Sequence, residues 1–427
     1  MNRTLVKLAA AIGSGCLAAF GPSPGRADDL RPVALHAEVT GVQPMTGIVL
    51  WATNEAARSA PIQLEYSYLT YDQVVKGPGR YDWAPVDRLL DAIAGRHHQA
   101  VLRWHDTYVG KPSGVPAYIQ ALPDYRGVVA PSEKKRTGFP DWSHPELRRA
   151  ILEFFDRFAE RYDRDPRLAF LEVGFGLWSE YHIYDGPMEL GRTFPSLDYQ
   201  REFARRLSTQ FRQTPWMISV DAAGDQAPFV ADPSLLALPF GEFDDSFNCA
   251  QHARENERNW DRLGRDRWQV APAGGEFSFY VPKDQKEALS PAGPHGIPFA
   301  RHAARFHVTF MIGDAQPRHQ PAAVIRAAGL ATGYRFRVDR FAAAPGRAEV
   351  TITNAGVAPI YHDAYPAVNG VRAAASLKLL LPGQFRTFAI ALDAAGAAAP
   401  DAAPPRLTIE SDRLVPGQRI EFDANLP

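Results

Sequence analysis

LEVGFGLWSEYH, residues 171–182, reads as a buried β-strand for half its length and then departs from strand chemistry. Leu171, Val173, Phe175 and Leu177 suit a parallel sheet covered on both faces. The run ends in Trp178, Ser179, Glu180, Tyr181 and His182, a carboxylate set among aromatics. A buried strand that delivers a carboxyl group at its C-terminal end points to an α/β fold with its chemistry at the strand ends.

The surrounding sequence repeats that pattern. Short apolar runs at 47–51, 62–69, 99–106, 168–177, 216–221, 242–248, 268–276 and 308–314 make eight candidate strands. Amphipathic stretches separate them. Val86, Leu89, Leu90 and Ile93 share one helical face after Asp82; Leu147, Ile151, Phe154, Phe155 and Phe158 share another after the capping-box pair Ser143 and Glu146. Further helices are expected over 198–214, 254–263, 299–307 and 322–332. Eight βα units fit a (β/α)8 TIM barrel. A doubly wound sheet is the runner-up, but no GxGxxG or Walker motif stands at a strand end to favour it.

From Gly333 onward the period changes to two, at 335–339, 349–353 and 385–392, with Pro345-Gly346, Asn369-Gly370 and Pro382-Gly383 as turn signals. A small C-terminal antiparallel β-sandwich is expected there, interrupted by an Ala/Pro spacer at 394–405. The expected division is a signal peptide at 1–27, the barrel at 28–333 and the β-sandwich domain at 334–427.

Arg3 and Lys7, an apolar stretch through Phe20 and the small residues around Ala27 have the layout of a secretory signal. Export, to the periplasm or outside the cell, follows as an expectation, with no membrane span once the signal is cleaved. Lipoprotein anchoring at Cys16 is a weaker alternative, since the usual Leu three residues earlier is missing. Without Cys16 the mature chain holds a single cysteine, Cys249, expected as a buried thiol, and no internal disulfide. Lys+Arg 47 against Asp+Glu 48 gives no basic excess, so nucleic acid is not an expected partner. Nothing in the sequence speaks to oligomeric state.

If the barrel forms, the side chains at its strand ends matter most. The third strand ends in Arg103, Trp104, His105 and Asp106; the fourth leads to Trp178, Glu180 and His182; the fifth ends in Asp221. Asp244, Asp245 and Asn248 close the sixth, Glu276 the seventh and Asp314 the eighth. Glu180 and Glu276 stand three βα units apart, so the fold can set them facing each other across the mouth. Glycoside hydrolysis needs such a pair, about 5 Å apart for retention and about 6.5–9.5 Å for inversion. Glu172, mid-strand, is expected as the buried partner of an inward Arg, and an Arg103–Asp106 ion pair is a further possibility. Asp244 and Asp245 lack a third ligand at metal spacing, so neither metal nor cofactor is expected.

Gly79-Arg80-Tyr81-Asp82-Trp83, the segment 102–106, the run 161–167, the stretch 174–182 and Gly275-Glu276 together resemble the clan A barrel glycoside hydrolases. More closely they resemble an uncharacterised bacterial barrel family, the domain of unknown function 4832, and residues 354–361 resemble the start of that family's C-terminal β domain. The resemblance implies Glu180 as acid/base and Glu276 as nucleophile. Many enzymes of the clan carry Asn before the acid/base Glu, where its amide holds the sugar 2-hydroxyl; here that position is Ser179. The expected function is an exported, retaining O-glycosyl hydrolase acting on a poly- or oligosaccharide, with Arg103, Trp104, His105, Asp106, Trp178, His182, Asp221, Asn248 and Asp314 as substrate contacts. The alternative is a non-catalytic carbohydrate-binding or surface-assembly protein on a hydrolase-like barrel.

Overall fold

The structure, a computed structural model, describes residues 30–249, 252–392 and 404–427. The expected signal peptide, Cys16 and residues 394–403 of the spacer lie outside the described residues. Among the described residues no helix is long and apolar enough to cross a membrane.

Eight strands form a closed parallel barrel: β1 (Gly47–Trp51), β2 (Leu64–Thr70), β3 (Gln99–His105), β4 (Leu168–Glu172), β5 (Trp216–Ser219), β6 (Gly241–Phe247), β7 (Ala273–Phe277) and β8 (Phe310–Ile312). Each pairs with its neighbours in sequence, and β8 returns to β1 in parallel register, Phe310 opposite Gly47. All eight expected strands are present; β1 keeps its expected ends, and the other seven differ at one end or both. β4 stops at Glu172, five residues short of the expected limit, and β7 starts at Ala273 because Arg267–Gln269 winds into a 3-10 turn.

The barrel interior is filled rather than hollow. Tyr66, Phe170, Met217, Phe243 and Phe310 pack together there with Val49 and Ile312. Outside it, helices α1 (Ala84–Ala94), α2 (Pro145–Tyr162) and α3 (Leu197–Gln210) bury their apolar stripes. Phe154, Phe155 and Phe158 of α2 are at most 2% exposed, and burying each contributes about 1.5–3 kcal/mol. The cap of α2 is not Ser143 as expected but His144, whose Nδ1 accepts the Glu146 N–H at 3.2 Å. Pro145 explains the shift: it favours the first helical position, which makes the residue before it the cap.

The C-terminal residues add β9 (Phe336–Ala344), β10 (Arg347–Asn354), β11 (Tyr365–Val368), β12 (Phe385–Ala391), β13 (Leu407–Glu410) and β14 (Phe422–Leu426). One sheet runs β12-β10-β9-β14, antiparallel except for the β9–β14 pair, and β11 and β13 pair in a second. Phe336, Val350, Ile352, Phe388 and Ile409 are buried in one cluster with residues of both sheets. Two N-terminal strands, Arg31–Pro32 and Leu35–Ala37, fall within the range 28–333 yet pair with β9 and β14 outside the barrel.

This unit meets the barrel at the N-terminal ends of its strands. Arg413 donates to the carbonyls of Asp163 and Leu168 and to Thr214 Oγ1 at 3.0–3.1 Å, and Gln99 donates to the Arg413 carbonyl at 2.7 Å. His362 Nε2 lies 3.0 Å from the Ala169 carbonyl. The opposite end, where the strands finish, is left to the βα loops.

Candidate active site

Residues 173–182 turn sharply after β4. Tyr181 N–H donates to the Phe175 carbonyl at 2.9 Å and Leu177 N–H to the His182 carbonyl at 2.9 Å, while Trp178 N–H ties the loop to Thr107 of the neighbouring β3 loop at 3.0 Å. A Cβ on Gly174 would overlap the Ser179 carbonyl, which is why the strand pattern breaks at a glycine. Trp178, Ser179 and Tyr181 all adopt φ between 52° and 62°. Non-glycine residues seldom hold that left-handed conformation, and such strain gathers at functional sites. Ser179, 1% exposed, donates its hydroxyl to the Trp104 carbonyl at 2.7 Å. It braces the loop against β3 and does not face the cavity.

Beneath this loop Arg103 stands fully buried inside the barrel, its guanidinium 4.1 Å from the centre of the Phe243 ring. It meets three carboxyls: Glu172 at 2.6 Å, Asp245 at 2.7 Å and Glu180 at 3.2 Å. The expected role of Glu172 as partner to an inward Arg is what the structure shows. The Arg103–Asp106 pair does not form; Asp106 instead accepts from the Thr107 hydroxyl at 2.8 Å, because β3 turns alternate side chains to opposite faces.

Above Arg103 a cavity of about 890 Å³ opens at the C-terminal strand ends. Glu180, Glu276, Asp221, Asp244, Asp245 and Asp314 line it, joined by Glu133 and Glu255 at the rim. Aromatic residues complete the wall: Trp51, Tyr68, Tyr108 and Trp178 within, and Tyr184, Phe279 and Tyr280, each more than half exposed, outside. Trp178 and Tyr184 stack with centroids 6.0 Å apart. His182 bridges two carboxyls, its Nδ1 2.9 Å from Asp221 and its Nε2 3.6 Å from Glu180.

Burial raises the Glu180 carboxyl well above the ordinary carboxylate range, aided by the nearby charges of Asp245 and Asp221 and opposed by Arg103. Glu276 is raised in the same way, by burial first and then by Asp245, Asp314 and Glu172. Burial also brings Asp244 to about 7, against hydrogen bonds from Ser246 N–H and the Asn256 amide. A carboxyl raised by burial in a cleft lined with rings is suited to donate a proton to a weakly basic oxygen.

Of the eleven residues expected in the site, Glu180, Glu276, Trp178, His182, Asp221 and Asp314 line the cavity, and Arg103 supports it from below. Trp104, His105, Asp106 and Asn248 do not line it. Trp104 is buried against Phe154 under α2, and burial lowers His105 to about 3, leaving it neutral. Asn248 is 8% exposed, with its backbone carbonyl toward His295. Sequence reasoning missed Asp245 as a ligand of Arg103. It also missed the hairpin of Val128–Ser132 and Lys135–Phe139, which brings Glu133 to the Tyr184 hydroxyl. The hairpin turn, Glu133-Lys134 at positive φ, lacks the Asn or Gly that signals such a turn.

Glu180, His182 and Asp221 each offer a ligand atom within 4.8 Å of the others, a donor set that could hold a divalent ion. Such an ion would compete with Arg103 for Glu180.

No family model and no curated protein matches the sequence, so the resemblance to the domain of unknown function 4832 stands on its motifs alone. Similar solved structures include the galactosidase domain of an α-galactosidase–sucrose kinase (10% identity, 84% of this chain and 56% of that one, TM-score 0.38). An α-galactosidase from Thermus thermophilus gives 13% identity over 74% of this chain and 66% of that one, TM-score 0.37. A glucosidase from Croceicoccus marinus gives 10% over 91% and 86%, TM-score 0.37. The chain thus spans well under the full length of the first two. At these scores the likeness carries no argument about chemistry, and the barrel rests on its own strand pairing.

Proposed function

We propose that this chain is an exported glycoside hydrolase that cleaves a poly- or oligosaccharide with Glu180 as acid/base and Glu276 as nucleophile. The observation that carries the reading is that both carboxyls, on β4 and β7 sides of the barrel, line one cavity and are both raised by burial. Glu180 passes its proton to the glycosidic oxygen as the bond to the anomeric carbon breaks. The Glu276 carboxylate forms an ester with that carbon. Water, deprotonated by Glu180, then hydrolyses the ester, giving retention. Arg103 orients Glu180, and the ring-lined wall offers apolar surface to sugar C–H faces. Ser179 faces β3, so whatever holds the 2-hydroxyl comes from another residue.

Because both carboxyls are raised, the form with Glu276 ionised and Glu180 protonated is reached above the ordinary carboxyl range, and the activity optimum is expected toward neutral pH. The test is reducing-end release from a polysaccharide panel, with Glu276→Gln as control. Release by the wild-type chain that the variant abolishes supports the reading; equal release by both contradicts it.

A further inference from the structure

We infer that the cavity takes a glycan chain lying across the carboxyl pair, with sugar rings stacked on aromatic platforms at both sides of the bond that is cut, so that cleavage falls inside chains and not at their ends. This names the mode of action of the proposed hydrolase and rests on that reading. Four aromatic side chains are exposed among the described residues, Tyr184, Phe279, Tyr280 and Phe385, and all but Phe385 line this one cavity. Exposed rings are unfavourable in water, and rings gathered at a concave site mark where a ligand covers them.

The three rings stand at two sides of the mouth. Tyr184 follows β4, whereas Phe279 and Tyr280 follow β7, three strands away in the closed order of eight. Glu180 and Glu276 come from the same two connections, so each carboxyl is followed within four residues by an exposed ring. Tyr184 is held in place, its ring stacked on Trp178 at 6.0 Å and its hydroxyl on Glu133 of the hairpin. Tyr280 lies 4.5 Å from the His252 ring, centroid to centroid. Rings fixed in advance lose little freedom on binding, and their faces suit the C–H face of a sugar. Carboxyls stand between the rings, where sugar hydroxyls can donate, so the wall is not the continuous apolar patch that a protein partner would cover. The cavity, about 890 Å³, lies near the top of the roughly 300–1,000 Å³ range of pockets for drug-sized ligands and far exceeds a single pyranose ring.

The experiment pairs binding with product analysis. The full chain carrying Glu276→Gln, to stop turnover, is titrated calorimetrically with cello-, manno- and xylo-oligosaccharides from the single sugar to the hexasaccharide. In at least one ladder the affinity is expected to rise about tenfold or more between the disaccharide and the hexasaccharide. Adding Tyr184→Ala, or Phe279→Ala with Tyr280→Ala, should each remove about fivefold or more of that rise with Tm unchanged. Phe385→Ala, an exposed ring outside the cavity, should change nothing. The wild-type chain, acting on a polymer that it cuts in the panel, should release oligosaccharides first and lower the viscosity before much reducing sugar accumulates. Affinity independent of length in every ladder, dependence on only one of the two platforms, or single sugars as the first product would overturn the inference. Single-sugar release that Glu276→Gln abolishes would leave the hydrolase reading standing; if no polymer is cut at all, that reading fails and this inference fails with it.

Discussion

Folding removes Glu180 and Glu276 from water and raises both carboxyls, and that has a cost the protein carries for its site. A carboxyl raised above its unfolded value of about 4.5 binds more protons in the native state across the interval between the two values, so stability falls as pH rises through it. Glu180→Gln and Glu276→Gln remove that loss. Each is expected to reduce turnover about 10²–10⁴-fold while leaving Tm at neutral pH equal to or above wild type, as thermal melts across pH would show. A drop in Tm at neutral pH would contradict it. Ser179 is different: Ser179→Ala leaves the buried Trp104 carbonyl without its donor, costing about 1 kcal/mol and lowering Tm by about 1–3 °C. The two glutamates were legible in the sequence because strand ends are where a barrel places chemistry. Asp245 was not, since one sequence cannot show that Arg103 points into the barrel to meet it.

The barrel strands could be read from apolar runs, but their limits could not. Leu171, Val173, Phe175 and Leu177 alternate as a strand would, yet pairing ends at Glu172, because Gly174 and Gly176 let the chain fold back through contacts that no periodicity encodes. The same dependence on glycine holds before Glu276. Gly275 sits at φ 148°, where a Cβ would overlap the Asp244 carbonyl of β6. Gly275→Ala is therefore expected to cost about 1–3 kcal/mol in a denaturant titration and to reduce turnover by displacing Glu276. Wild-type stability and rate together would show that the β6–β7 approach is not needed.

At the level of the whole molecule, the floor of the barrel and its mouth are separate concerns. Arg413, His362 and Gln99 join the C-terminal unit to the N-terminal strand ends, away from every residue that lines the cavity. Arg413→Met strips donors from two carbonyls and a hydroxyl, and is expected to cost about 2–4 kcal/mol while leaving kcat at a permissive temperature within about twofold. The β-rich character of the C-terminal residues was visible in their period of two. The entry of Leu35–Ala37 into the same sheet was not, because a three-residue strand paired with β14 almost the whole chain away leaves no local trace. The proposed catalysis stands on the division of labour between Glu180 and Glu276. Its most direct test is the rate of each alanine variant on aryl glycosides of the sugar released in the panel. With an activated leaving group, which needs no proton, Glu180→Ala is predicted to regain formation of the glycosyl–enzyme ester, seen as a burst of phenolate, while Glu276→Ala stays inactive. A burst from Glu276→Ala, or none from Glu180→Ala, would contradict the account.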